Sequence, residues 1–193
     1  MVRRRQVSFS VGRRFRIYKI SRRNAELMSE MTPSDEQALL LFTSSAEKLQ
    51  ALVRDLSETD LDVLSEVDGW TIREIIHHVA DDCDVWSMCV KKAIATPGVI
   101  VRFEGFPGNE AWAQALDFGQ REIGPAIDLI GAHRRYLAQL LKHFSDLWDR
   151  SVTFANAEGK IVGEMTVQEM VNMLAGHMLE HVDTIERTRT KGD

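Results

Sequence analysis

Four stretches of about twenty residues carry apolar side chains at helical spacing, and this pattern constrains the fold more than any other feature of the chain. The first runs through Leu39, Leu40, Phe42, Ala46, Leu49, Leu52, Val53 and Leu56. Behind a capping box of Ser34 and Gln37, it predicts a helix over about 35–57. The second, through Ile72, Ile75, Ile76, Val79, Cys83, Trp86 and Val90, starts at a Thr71/Glu74 box. Its apolar residues fill a stripe about 100° wide, over about 72–95. The third, through Ile123, Ile127, Ile130, Leu137, Leu140, Leu141 and Phe144, predicts a helix over about 120–145, with Pro125 in the first turns where a missing N–H matters least. The fourth, over about 167–188, opens at a Thr166/Glu169 box and follows Val167, Val171, Leu174, Met178, Val182 and Ile185.

The connections are polar or irregular. Residues 57–62 read as a polar link. Residues 97–118 read as a long irregular crossing of the kind that lines a site or an interface. Residues 146–163 read as a small hairpin turning at Ala155-Asn156-Ala157-Glu158-Gly159. Four helices with no sheet of any size predict an all-α fold, a four-helix bundle with long crossover loops.

Charge divides the chain unevenly. Residues 1–31 hold nine of the 24 Lys and Arg and only two of the 29 acidic residues, so the remainder carries a net charge of −12. An acidic body argues against nucleic acid as a partner, because phosphate contacts need Lys and Arg. The basic segment 1–31 is read as a disordered or extraneous extension, with Met28 or Met31 as the true start. Residues 32–188 are the bundle and 189–193 a polar tail. No apolar run reaches the ~18 residues of a membrane span. Cys83 and Cys89 lie six residues apart in one predicted helix, a poor geometry for a disulfide, so a reducing, cytoplasmic setting and packing roles are expected.

Histidine spacing points to chemistry. His177 and His181 are one turn apart on the fourth helix, about 80° and 40° from the centre of its apolar stripe and on the same flank. Two imidazoles so placed can bind one divalent metal and leave room for a third ligand and water. On the second helix, His78 falls at the edge of the buried stripe, about 110° from its centre. His77, at about 150°, is expected to face water. His78, His177 and His181 are therefore the expected metal ligands. Asp82, one turn after His78, reads as a partner orienting a ligand, a fourth ligand, a catalytic base or a plain surface carboxylate. His133 and His143 lack partners at ligand spacing.

The residues Gly69-Trp70-Thr71-Ile72-Arg73-Glu74-Ile75-Ile76-His77-His78-Val79-Ala80-Asp81 resemble the second-helix signature of the DinB-like four-helix-bundle superfamily, whose ligand histidine falls eight residues after the tryptophan. Gly163-Glu164-Met165-Thr166-Val167, followed by His177-Met178-Leu179-Glu180-His181-Val182-Asp183-Thr184-Ile185, resembles its fourth-helix signature. The resemblance covers about residues 34–187 and selects the same three histidines. It implies a divalent metal, nickel or zinc, in a cleft with open coordination, and a homodimer formed through the bundle. It also implies a thiol-dependent transferase or isomerase that joins a low-molecular-weight thiol to a small electrophilic substrate. A non-catalytic metal-binding, dimerising module and a metal-dependent hydrolase are the alternatives.

Two other motifs compete for the same residues. His177-Met178-Leu179-Glu180-His181 is an H-x-x-E-H, but Glu180 lies about 140° from the buried stripe and little chain follows to supply another ligand. Glu74-Ile75-Ile76-His77 is an E-x-x-H, but Leu174 and Met178 stand where a second carboxylate of a di-iron site would be needed.

Overall fold

The computed structural model describes residues 35–189, apart from 68 and 145. The readings of residues 1–31 and of the Ser34 cap lie outside the described residues, as does all of the polar tail after Arg189.

The four expected helices form. They are α1 (Asp35–Val53), α3 (Ile72–Ala95), α5 (Gly124–His143) and α6 (Val167–Arg189). The boundaries differ at α5, which starts at Gly124 rather than near 120, and at α1, which stops at Val53 rather than near 57. The polar link instead makes a short helix α2 (Glu58–Leu61), because Ser57 and Asp60 cap each other as a fourth capping box. The caps at Thr71 and Thr166 form as expected. Thr71 Oγ1 accepts the Glu74 N–H at 3.2 Å while Glu74 accepts the Thr71 N–H at 2.8 Å. Thr166 and Glu169 do the same at the start of α6. Because each cap satisfies N–H groups that the first turn leaves open, it fixes where the helix begins and so which way every later residue points.

Helices α1 and α3 each pack against both α5 and α6, so they face each other across the diagonal of the bundle. The α3–α6 seam and the α1–α5 seam therefore lie on opposite sides. Apolar burial supplies the cohesion, about 1.5–3 kcal/mol for each fully buried large side chain, as at Phe42, Leu49, Ile75, Ile130, Leu137 and Met170. Two apolar clusters result. One holds Phe42, Cys89, Leu137 and Leu174, and the other Leu49, Ile75, Cys83, Ile130 and Met178. Both cysteines are buried free thiols, as packing roles require. Burial pushes the Cys89 thiol up to about 11. No described helix is long and apolar enough to cross a membrane.

Two expectations need correction. A small sheet exists after all: β1 (Ile100–Arg102) runs parallel to β2 (Ser151–Ala155), which pairs antiparallel with β3 (Ile161–Thr166). The β2–β3 hairpin is the expected one. The β1–β2 pairing joins segments fifty residues apart and has no local signature, being held by Trp86, Phe103 and Phe154, whose ring centroids lie 5.6–6.0 Å apart. Nor is the crossing irregular throughout. It contains β1 and a helix α4 (Asn109–Ala115), and it ends where a 3-10 turn (Phe118–Gln120) begins. Gly105, Gly108 and Asp117 take positive φ on either side of α4 and turn the chain back over α3.

Candidate metal centre

The α3–α6 seam brings His78, His177 and His181 together, with one ring nitrogen from each within 4.8 Å of the others. The cap at Thr71 sets His78 in the second turn of α3, where it is buried. From α6, His177 and His181 reach the same point, their Nε2 atoms 2.9 Å apart. The rings stand nearly perpendicular to one another, so their edges, which carry the nitrogens, converge.

Asp82 lies against this cluster. Its Oδ2 is 3.3 Å from His177 Nδ1 and 3.6 Å from His78 Nε2. A carboxylate on Nδ1 holds the proton there and leaves the Nε2 lone pair for a cation. Of the expected alternatives, the geometry thus favours an orienting partner. On the other side the edge of Trp70 meets the His78 ring at 5.1 Å. Trp70, just before α3, thus walls the cluster on that side.

The donors suit a divalent ion. His177 is held well below the ordinary imidazole range, first by burial, then by His181, His78 and the Arg134 guanidinium. It is therefore neutral near pH 7. Its Nε2, facing His181 Nε2 at 2.9 Å, needs a proton or a shared cation between the two nitrogens. Three nitrogens from two rigid helices match the three-ligand sets that leave a coordination position open.

His77 corrects the sequence reading. It is 2% exposed rather than facing water. The segment after β1 folds over it, the Phe118 ring lying 5.5 Å away. His77 Nε2 sits 3.3 Å from the Arg121 carbonyl, to which an Nε2–H donates. Burial lowers its pKa, partly offset by that carbonyl. Beside it, Trp112 Nε1 donates to Asp81 at 2.7 Å and ties α4 to α3. Neighbouring Arg73 is buried and binds Glu58 at 2.7 Å, Asp62 at 3.0 Å and the Arg121 carbonyl at 3.3 Å. A helical projection treats a helix as facing only its bundle partners, so it missed this cover.

The competing motifs are not assembled. Glu180 is exposed, as expected. Glu74 is used by the Thr71 cap. His133 lies 3.2 Å from Ser87 Oγ and 3.6 Å from Asp84, and His143 packs on Phe144. Arg134 was not singled out from the sequence, yet it is 3% exposed in the centre of the bundle. It falls four residues after Ile130 and three before Leu137, inside the apolar stripe of α5, and that position was its visible signal.

Comparison with known proteins agrees with the four-helix bundle. A 28% identical protein of Oceanobacillus iheyensis, matching 69% of this chain and 73% of its own length, is named "Putative metal-dependent hydrolase". One from Halalkalibacterium halodurans with the same name is 25% identical over 84% of this chain and 92% of its own. Among solved structures, YfiT from Bacillus subtilis, "a probable metal-dependent hydrolase with an unusual four-helix bundle topology", superposes with a TM-score of 0.71 at 20% identity, over 83% of this chain and 90% of its own. A mycothiol-dependent maleylpyruvate isomerase superposes with a TM-score of 0.56 at 17% identity, over 79% of this chain but only 61% of its own. The sequence model of the DinB superfamily matches residues 41–185, which take in α3, α5, most of α1 and α6 and the three clustered histidines, and the chain belongs to that superfamily.

Proposed function

We propose that this protein is a divalent-metal-dependent enzyme in which His78, His177 and His181 hold one ion, nickel or zinc, and which joins a low-molecular-weight thiol to a small electrophilic substrate. The observation that carries the metal reading is the convergence of three ring nitrogens within 4.8 Å on two capped helices. An ion held there would supply Lewis acidity at its remaining coordination positions. The chain does the rest. Asp82 keeps the His177 proton on Nδ1, and the Trp70 edge limits water around His78. The thiol reading is supported by the shared fold of the mycothiol-dependent isomerase. The names of the sequence relatives favour a second reading, hydrolysis by activated water.

The deciding experiment screens metal-loaded protein with bacillithiol, mycothiol and glutathione against monochlorobimane, and without thiol against p-nitrophenyl acetate. Thiol-dependent bimane fluorescence above the metal-free background supports the transferase. Ester cleavage alone supports the hydrolase, and a metal-loaded protein inert in both assays would leave only a binding module.

Asp82→Asn is expected to keep the fold but weaken metal binding about 10–100-fold, the usual loss when a ligand histidine's carboxylate partner is neutralised. Competition with a chromophoric chelator measures this. Unchanged affinity would return Asp82 to the status of a surface carboxylate.

A further inference from the structure

On the opposite side of the bundle, the α1–α5 seam opens into a groove of about 610 Å³, within the size range of small-molecule sites. Its lining includes Arg134, Arg135, Lys142 and His143 from α5, with Gln50 and one acid, Glu47, from α1. Residues 32–193 carry a net charge of −12, yet no carboxylate lies within 4.0 Å of Arg134, Arg135 or Lys142 among the described residues. By contrast Arg73, Arg102, Arg150 and Arg187 each have an acidic partner.

Arg134 is the unusual member. Its guanidinium is buried, stacks 4.1 Å from the Phe42 ring centroid, and donates to the carbonyls of Phe42 at 3.1 Å and Leu174 at 2.9 Å. Among the described residues its buried Nε has no hydrogen-bond partner. A buried cation without a counter-charge costs desolvation energy that carbonyl contacts only partly offset. Low-dielectric walls also focus its field into the groove it lines. Arg135 and Lys142, seven residues apart, place two further cations about 10 Å apart along the same helix face. Glycine at 131 lets the Gln50 and Arg135 side chains lie close against α5 in the groove: a Cβ there would come within 2.4 Å of Gln50 Nε2 and 3.1 Å of Arg135 Nη1.

We propose that the α1–α5 groove binds a small organic anion through carboxylate or phosphate groups, held by Arg135 and Lys142 over the buried charge of Arg134. The acidic body makes an extended nucleic acid a poor occupant. This site is separate from the histidine cluster and does not depend on the metal reading.

Titration of the full chain with inorganic phosphate and with citrate, followed by amide chemical shifts and calorimetry, tests the proposal. The expected result is saturable binding with a Kd of about 1 mM or tighter, with shifts confined to α1 and α5. Response to phosphate alone assigns phosphate esters, to citrate alone carboxylates, and to both a general acid-group site. Arg135→Gln with Lys142→Gln should weaken binding about tenfold or more, through loss of two charged contacts. Gly131→Ala should also weaken binding while keeping the melting temperature, since Gln50 and Arg135 can swing aside and alanine suits a helix better. His177→Ala should leave binding unchanged, which separates this site from the histidines. The proposal is overturned by the absence of saturable binding of either anion, by equal binding in the double variant, by loss of binding in His177→Ala, or by preference for a short DNA duplex over citrate.

Discussion

Replacing His177 by alanine is expected to abolish stoichiometric binding of a divalent metal. The substitution removes the Nε2 that faces His181 Nε2 at 2.9 Å and leaves Asp82 without the Nδ1 it contacts at 3.3 Å. Only two imidazole ligands remain, one from each helix, and affinity should fall by more than ~100-fold, beyond what loss of an orienting partner alone produces. Metal analysis after gel filtration reads this directly. His78→Ala should behave alike, because its ring is the sole donor that α3 contributes to the cluster. His77→Ala is the internal comparison. Its ring packs on Phe118 and reaches the Arg121 carbonyl, so that variant should retain metal even if its stability drops. Circular dichroism on the same samples separates lost ligands from lost fold. Stoichiometric metal in both His78→Ala and His177→Ala would refute the three-histidine site.

Phe42→Ala should produce the largest loss of stability among single substitutions considered for this chain, about 3–5 kcal/mol. That is a large part of the 5–15 kcal/mol typical of a domain. Phe42 is 1% exposed and lies where α1 meets α5 and α6, so its removal leaves a cavity that three helices cannot all close. It also removes the aromatic face against which the Arg134 guanidinium rests. Phe42→Leu separates the two contributions. It keeps most of the apolar volume, loses the ring face, and should cost about 1–2 kcal/mol. Urea unfolding of the two variants measures the difference. An alanine variant no less stable than the leucine variant would mean that the layer collapses around the missing ring and that its packing matters little.

Much of the bundle was legible from local chemistry. The Thr71/Glu74 and Thr166/Glu169 boxes place two helix starts, and the apolar stripes then orient each helix toward its bundle partners. Together they also orient His78, His177 and His181, since a side chain's direction on a regular helix follows from its distance to the cap. Glu180 was set aside for the same reason, on the solvent flank, and the di-iron motif at Glu74 because Leu174 and Met178 stand where its second carboxylate would be. Where local rules were incomplete, a local signal had been passed over: Ser57 and Asp60 start α2 inside a segment read as a plain link.

What the sequence by itself determined is therefore the helical framework and the three histidines that it aims at one seam. The tertiary structure alone decided what depends on contacts between distant segments. His77 is buried because residues 118–121 return over α3, and β1 forms because it finds β2 fifty residues later. Arg134 acquires its surroundings only when Phe42 and Leu174 arrive from two other helices. Helical periodicity encodes the direction of a side chain from its own axis, whereas burial and pairing depend on what the rest of the chain places opposite it.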